Sequence, residues 1–268
     1  MKKLIVLALV ALGASQGMRA QSDVEFGYFD HMSIGASVGT DGIGFDVAFP
    51  IKDVAAMRAG ISFSPTLKVK EHININNNND DATYYKRIGI EAEEKTFDGK
   101  FLLDYYPFRR SSFHLTAGAF FGTSEIVKVR NTSPILKDPA DYGTAGLLLG
   151  SGANEYEVST DMNGNALIKA KVNSFKPYVG LGFGRAVMKE HRFGVSCDFG
   201  VQFWGTPGIY ARAKNHNDPW ANWEEEHHFK YSDLGDDDDE DLRDAFETIE
   251  KIKVFPVLNV RITYRIFK

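Results

Sequence analysis

The segment from Phe193 to Gly205, FGVSCDFGVQFWG, restricts the fold more strongly than any other stretch of the sequence. Its odd-numbered positions carry apolar side chains, namely Phe193, Val195, Cys197, Phe199, Val201 and Phe203. The positions between them are mostly small or polar. Because side chains alternate between the two faces of a β-strand, this period of two predicts a strand with one apolar and one polar face. The pattern recurs along the chain, so the fold depends on which solvent the apolar faces contact.

The N-terminus predicts export. Lys2 and Lys3 precede an uncharged run over residues 4–12, and small residues follow before Ala20. This order is typical of a secretory signal peptide cleaved after Ala20. The run is shorter than the about 20 residues of a membrane helix, and no later stretch approaches that length. We therefore expect residues 1–20 to be a signal peptide and residues 21–268 to form one domain that is not a helical membrane protein.

The single cysteine, Cys197, excludes an intrachain disulfide in a chain whose export would have permitted one. It occupies the apolar phase of its strand, so we interpret it as a small apolar side chain. Stability is then expected to come from hydrogen bonding and packing.

The formal net charge of −5 is unevenly distributed. Residues 224–250 contain 13 acidic and two basic side chains, a net charge of −11. Without this segment and the signal peptide, the chain has a net charge of +3. Neither part has the dense basic surface with interleaved aromatic residues that binds nucleic acid, so we expect no nucleic-acid partner.

Eight alternating segments are predicted as strands. They are Val24–Val38, Ile43–Phe49, Met57–Val69, Lys86–Tyr106, Phe113–Phe121, Pro177–Phe183, Phe193–Phe203 and Ile252–Ile266. Residues 39–42 between the first two are either a tight turn or a glycine bend within one long strand. Ile88, Ile90 and Ala92 are out of phase with Phe101 and the residues after it, which predicts a bulge or a kink near Gly99.

The connections between these strands alternate between short and long, as they do when antiparallel strands cross a membrane repeatedly. In hydrocarbon no water can satisfy an open sheet edge, so such strands must close into a barrel. We predict an all-β fold, an eight-stranded antiparallel transmembrane β-barrel with short periplasmic turns, long extracellular loops and a short acidic helix before the last strand. Aromatic residues near the strand ends are predicted to form interfacial girdles, and they are Tyr105, Tyr106, Phe108, Trp204, Tyr210, Tyr264 and Phe267.

Charged residues in the inward phase are the candidate lumen-lining residues. They are Asp46, Arg58, Lys100, Asp104, His114, Asp198, Arg261 and Arg265. Two interpretations are open, a plug of mutually paired charges and a polar passage that selects solutes. The narrow interior of an eight-stranded barrel favours the plug for most of these residues, although an incomplete plug would still pass a small solute.

Five stretches carry a resemblance to a known family. They are GKFLLDYYPF from Gly99, FHLTAG from Phe113, KPYVGLGFG from Lys176, VSCDFGVQFWGTP from Val195 and KVFPVLNVRITYRIF from Lys253. In this order and spacing they resemble small outer-membrane barrels of the ornithine-uptake porin (CarO-like) type. The resemblance implies an integral outer-membrane protein of a Gram-negative bacterium and a narrow porin-like channel for passive uptake of small solutes, basic ones among them. It implies no catalytic residues, and its partners would be outer-membrane lipid, lipopolysaccharide and small solutes.

The acidic segment predicts an amphipathic helix. Acidic residues 236–239 precede Leu242, Ala245, Phe246 and Ile249, and acids near a helix N-terminus complement the helix dipole. The alternative is that residues 236–240 bind a divalent cation or attract cationic solutes, but consecutive acids lack the spacing of a calcium loop. Adjacent His227 and His228 point in different directions on any regular element, so we predict neither a metal site nor a cofactor.

Two other function classes remain open. Some small outer-membrane barrels modify lipids with a Ser-His-acid group, and His114 and Ser196 have suitable residue types and inward phase. Nothing in the sequence connects these two residues, so we predict that the chain is not an enzyme. A structural or adhesive barrel with a plugged lumen, whose long loops bind partners, is the third possibility.

Overall fold

A computed structural model describes residues 25–74, 85, 87–108, 111–143, 145–149, 155–218, 220, 222–223, 226–230 and 247–267. In chain order its strands are β1 (Met32–Gly39), β2 (Gly42–Ile51), β3 (Ala55–Phe63), β4 (Leu67–Asn74), β5 (Arg87–Glu94), β6 (Phe97–Tyr105), β7 (Phe113–Gly122), β8 (Glu125–Asn131), β9 (Gly146–Leu149), β10 (Tyr156–Ser159), β11 (Leu167–Lys171), β12 (Phe175–Phe183), β13 (Phe193–Phe203), β14 (Gly208–Ala211), β15 (Ala213–Asn215), β16 (His227–Phe229) and β17 (Val254–Phe267). A short 3-10 helix covers Pro139–Asp141.

Eight of these strands close into an antiparallel barrel in the order β1, β17, β13, β12, β7, β6, β3, β2. The predicted eight-stranded antiparallel barrel is confirmed. Strands β13 and β17 share the longest ladder, from Phe193 opposite Tyr264 to Phe203 opposite Val254. Closure occurs where β1 pairs with β17, so each barrel strand has a neighbour on both sides.

The barrel is apolar outside and polar inside. On β12, Val179 and Leu181 point outward and are exposed to 50% and 42%. Lys176, on the same strand, points inward and is buried. The other barrel strands repeat this alternation, as in the pattern of buried and exposed residues on β6. A soluble barrel has the reverse arrangement, because burial of apolar area is what stabilises folding in water.

The first connection is a tight turn, because Gly39 pairs directly with Gly42 across Thr40 and Asp41. Gly42 has a φ of +93°, and a Cβ there would lie 2.2 Å from the Phe63 carbonyl oxygen, so only glycine fits. This turn lies at the same end of the barrel as connections 64–96, 123–174 and 204–253, which we call the outer end. The predicted alternation of short and long connections is therefore wrong at this first position.

Two predicted strands are each divided in two. The third consists of β3 and β4, and the fourth consists of β5 and β6, with the second break at residues 95–96 rather than near Gly99. Ile88 and Ile90 are out of phase with the barrel residues because β5 belongs to another sheet. The predicted bulge near Gly99 is wrong, since β6 pairs with β3 and β7 without a register shift.

The long connections fold into two further sheets at the outer end. One has six strands in the order β16, β14, β11, β8, β5, β4, and the other has three in the order β15, β10, β9. A shared apolar core joins them, and it includes Ile88, Val158, Ile209, Ala213 and Phe229. The sequence predicted only a loop over residues 131–165, because β9 and β10 within it have four residues each and are too short to display a period.

Residues 247–251 are helical and precede β17, as predicted for the end of the acidic helix. The acidic residues 236–240 and the proposed signal peptide lie outside the described residues. Among the described residues, no helix has the length and hydropathy needed to cross a membrane.

The aromatic residues divide differently from the prediction. Tyr105 and Phe108 are exposed on the outer surface of the barrel, as expected of a girdle. Tyr106 is buried and turns into the barrel, and Tyr210 lies in the six-stranded sheet, where it stacks on His228. These two girdle assignments are wrong. At the outer end the ring is formed instead by exposed phenylalanines, namely Phe97, Phe121, Phe175 and Phe203.

Candidate functional site

The centre of the lumen holds a network around Arg58. Its Nη1 and Nη2 donate to Asp198 Oδ2 and Oδ1 at 3.0 and 3.1 Å, and Nη2 also donates to Asp104 Oδ1 at 2.7 Å. His114 Nε2 is hydrogen-bonded to the same Asp198 Oδ1 at 2.9 Å, and Thr116 donates to Asp104. Four strands supply these side chains, so the network ties β3, β6, β7 and β13 together across the interior.

A second buried pair joins β2 and β17. Arg261 Nε donates to both carboxylate oxygens of Asp46 at 2.9 Å, and Nη2 donates to Oδ1 as well. Gly35 makes room for this guanidinium, because a Cβ there would lie 2.2 Å from Arg261 Nε. A fork of donors on one carboxylate fixes the geometry of both side chains.

Nearer the outer end, Lys176 Nζ donates to Asp98 Oδ1 and Oδ2 at 2.9 and 2.8 Å. Lys100 Nζ lies 3.5 Å from Ser37 Oγ, a long contact for a buried ammonium. Neither Lys176 nor Asp98 was among the predicted site residues, although both occupy the inward phase.

An apolar layer also crosses the lumen. Leu102, Phe120, Tyr178 and Val257 are buried together, with the Phe120 and Tyr178 rings 5.5 Å apart edge to face. The Tyr178 ring lies against Gly200, where a Cβ would approach its hydroxyl oxygen to 2.4 Å. Sequence reasoning missed this layer, but large apolar residues in the polar phase of β6, β7, β12 and β17 were the available signal.

The connection 184–192 closes the end opposite the outer end, which we call the inner end. The Ala186 carbonyl accepts hydrogen bonds from Ser33 Oγ at 2.6 Å and Arg261 Nη1 at 3.3 Å, and its N–H donates to the Tyr106 hydroxyl at 2.9 Å. Ala186 and Tyr106 are part of a buried cluster with Phe26. The predicted short turn here is thus folded into the barrel mouth.

Of the eight predicted lumen residues, the structure places seven in the buried interior, and these are Asp46, Arg58, Lys100, Asp104, His114, Asp198 and Arg261. Arg265 differs, because it is half-buried at the inner end and donates to the carbonyls of Met188 and Lys189 at 2.8 and 2.6 Å. A cavity of about 10 Å³ lies among Arg58, Lys100, Tyr178 and Asn259, room for about one water molecule.

Some buried oxygens along the lumen have no hydrogen-bond donor among the described residues. They are Asp41 Oδ2, Asn259 Oδ1 and Asp104 Oδ2, and Ser196 Oγ and Thr263 Oγ1 also lack a partner there. Buried polar atoms ordinarily have partners, so these atoms are positions where an enclosed water molecule or another small polar group can form a hydrogen bond.

The one group of metal-ligating side chains that the described residues bring together is Asp104, His114 and Asp198, whose ligand atoms lie within 4.8 Å of one another. Arg58 bonds both carboxylates, so a guanidinium already occupies the position of a cation. His227 and His228 stack on Tyr156 and Tyr210 respectively, and adjacent positions on β16 point to opposite faces of the sheet.

The Ser-His-acid arrangement is not assembled among the described residues. His114 contacts Asp198 through Nε2 and the Ser112 carbonyl oxygen through Nδ1. Ser196 Oγ has no hydrogen-bond partner in the described part of the chain, so it is not activated by His114. His114 also lies near the start of β7, at the inner end, where its side chain is buried.

No protein-family model and no curated protein sequence matches the chain. Two crystal structures from Acinetobacter baumannii are similar to it. "CarO2" has 14% identity and a TM-score of 0.44, covering 90% of this chain and 100% of its own, and "CarO" has the same identity and TM-score with 89% and 97% covered. The resemblance to CarO-like barrels is confirmed as a structural similarity. At this distance it lends the chain no activity, so the functional conclusions below rest on the chain's own residues.

Proposed function

We propose that this chain is an outer-membrane β-barrel protein of a Gram-negative bacterium, exported with residues 1–20 as a cleaved signal peptide. The observation that supports this most directly is the apolar exterior of the closed barrel, with residues such as Phe101, Val179 and Ile262 about half exposed on three different strands. Exposed apolar area on this scale is unfavourable in water and favourable in lipid. The barrel strands of eight to fourteen residues match the about 9–11 residues that cross a bilayer at a tilt.

We infer further that the lumen is closed at rest and that the protein presents its outer sheets at the cell surface, as a structural or adhesive barrel. The paired charges around Arg58 and Arg261, the apolar layer and the 184–192 connection obstruct the lumen at three successive levels. The cavity of about 10 Å³ beside Arg58 is too small for an amino acid. A solute could pass only after several buried contacts had separated.

Porin-like uptake of small basic solutes is the second candidate. The buried oxygens of Asp41, Asn259 and Asp104 that lack donors favour it, because they are acceptors suited to ammonium or guanidinium groups. Such a channel would conduct only in a state where the Arg58 network has opened.

Cell fractionation tests the membrane location, and permeability measurements test the closed lumen. The mature chain is expected to be found in the outer-membrane fraction and to remain in membranes after an alkaline wash. Recovery as a soluble periplasmic protein without detergent would overturn the membrane assignment.

Refolded into planar bilayers, the wild-type barrel is expected to show conductance near zero. Steady conductance with swelling of liposomes in lysine or arginine would instead establish the porin function.

A further inference from the structure

Two non-glycine residues at the inner end adopt the left-handed backbone conformation. They are Phe29, with φ of 56°, and Lys52, with φ of 53°. Such conformations are unfavourable for residues with a side chain and are concentrated at functional positions. Phe29 N–H donates to the Pro50 carbonyl at 3.0 Å, and Lys52 N–H donates to the Gly27 carbonyl at 2.9 Å. These backbone bonds hold the strained positions beside one another.

The strained segment crosses the rim of the barrel. Phe26 is buried in the cluster that fills the inner mouth, whereas Tyr28 and Phe29 are exposed to 63% and 55%. Phe29 packs edge to face on Phe49 at 6.2 Å, and Phe49 lies in the outward row of β2. The exposed rings are thus continuous with the apolar exterior of the barrel.

Lys52 adds a charge to these rings. Its Nζ lies 4.9 Å from the centroid of the Tyr28 ring and has no carboxylate partner among the described residues. The neighbouring Asp53 does not balance it, because Asp53 Oδ1 is 2.6 Å from Lys189 Nζ and accepts from the Phe26 N–H. Burial of Asp53 opposes ionisation, but these hydrogen bonds outweigh it and hold the pKa of that carboxyl below its usual value.

The charge of the connections has opposite sign at the two ends of the barrel. Connections 52–54, 106–112 and 184–192 at the inner end contain six basic and two acidic side chains, a net charge of +4. The three long outer connections contain 16 basic and 26 acidic side chains, a net charge of −10. Residues 25–31 also lie at the inner end and contribute Glu25 and Asp30, which lowers this net charge to +2 but keeps it opposite in sign to that of the outer end. An anionic ligand is therefore favoured at the inner end.

We propose that Tyr28, Phe29 and Lys52 form a binding site for the headgroup of an anionic glycerophospholipid in the inner leaflet of the membrane. Lys52 Nζ contacts the phosphate, and an acyl chain lies along Phe29 and Phe49. This inference rests on the proposed membrane location. A second protein chain is a poorer occupant, because three side chains are far fewer than the about 20–30 residues per partner of a stable protein interface.

Lipid retention tests the site. The refolded mature chain in detergent is titrated with phosphatidylglycerol or phosphatidylcholine, and bound lipid is counted by native mass spectrometry. We expect Lys52→Gln to weaken phosphatidylglycerol binding about fivefold, as one lysine near an anionic surface contributes about 1 kcal/mol. Phe29→Asn, which tolerates the left-handed conformation, should weaken both lipids. Lys68→Gln, an exposed lysine of the outer sheet, is the matched control and should change neither.

The outcomes separate this inference from the membrane assignment. A barrel that inserts into liposomes but binds both lipids equally, or binds phosphatidylglycerol equally with and without Lys52, overturns the headgroup site alone. A Lys52-dependent dimer in light scattering would also overturn it, by identifying a second copy as the occupant. A chain that stays in solution without lipid or detergent would reject the membrane location itself.

Discussion

The lumen and the six-stranded outer sheet are built from the same kinds of ion pairs in opposite surroundings. In the lumen, the side chains of Arg58 and Asp198 are each exposed to only 6%. In the outer sheet, Glu91 is as buried as these two, but the three cations that it receives reach solvent, with Lys70 exposed to 70% and Arg130 to 52%. Burial decides what each pair contributes, because a buried charge without its partner loses its hydration, whereas an exposed one is resolvated.

The lumen pairs therefore connect strands across the interior of the barrel, and the outer pairs lie on a sheet that its apolar core already stabilises. The Arg58 network joins β13 to β3 and β7, which are not its neighbours in the barrel, through side-chain contacts alone. The outer sheet has backbone ladders and a core around Ile209 and Phe229, so its surface charges are not needed for closure. Substitutions in the two regions should differ sharply.

The largest effect is expected from Arg58→Met. This change leaves Asp104 and Asp198 buried without their cation, and removal of one partner from a buried pair costs about 3–5 kcal/mol. Guanidinium unfolding of the refolded barrel, followed by tryptophan fluorescence, measures the loss. Arg58→Lys keeps the positive charge, so its unfolding can be measured if Arg58→Met fails to refold.

Lys68→Met in the outer sheet is the matched control, because it removes a cation that is 45% exposed from a carboxylate with two others. A loss in this control equal to that of Arg58→Met would contradict the distinction between lumen and outer sheet.

The next largest loss of stability is expected from substitutions of two arginines of β17. Arg261→Met removes the fork on Asp46 and should destabilise the barrel by about 3–5 kcal/mol. Arg265→Met removes hydrogen bonds to two carbonyls at the half-buried mouth, with an expected cost of about 1–3 kcal/mol. Bilayer conductance of both variants shows in addition which arginine restricts the lumen. An Arg265 variant as unstable as the Arg261 variant would show that the inner mouth carries as much stability as the core network.

The difference between local alternation and long-range pairing explains which features of the lumen could be predicted from the sequence. Period-two alternation is a local property, so it identified the barrel strands and the inward phase of residues such as Asp46 and His114. Pairing partners are not local, since Arg58 and Asp198 are 140 positions apart and meet only because of the strand register around the closed barrel. The Ala186 carbonyl at the inner mouth has no side-chain signature at all.

The outer sheets were missed for a related reason. Leu67 and Val69 continue the odd-numbered phase of Ile61 and Phe63, so β3 and β4 look like one strand although they belong to different sheets. Phase alone does not report a change of partner strand. The same limitation hid β5, whose different phase resembled a bulge in one long strand.

A smaller effect is expected from Gly200→Ala. The added Cβ would lie 2.4 Å from the Tyr178 hydroxyl oxygen and 2.5 Å from Cζ, so the ring must move away from Phe120. Overpacking of this kind costs about 1–3 kcal/mol. Gly99→Ala on the outward face is the control, because its nearest neighbour is a Phe121 side-chain carbon at 3.2 Å. Equal unfolding midpoints for both variants would argue against a tightly packed apolar layer.

The smallest effect should follow from Glu91→Gln at neutral pH. Hydrogen bonds from Arg130 and then Lys68 lower the pKa of Glu91 to about 2. Because the pKa of Glu91 is lower in the folded state, its ionised form stabilises the folded protein at pH values above the unfolded-state pKa of about 4.3. This contribution disappears as the pH falls through about 2. Carbon NMR of the labelled carboxyl should show that midpoint, and Glu91→Gln should flatten the pH dependence of unfolding between about 2 and 4.3 without a marked shift at pH 7. A loss at pH 7 as large as that of Arg58→Met would mean that the outer sheet depends on its charges as the lumen does.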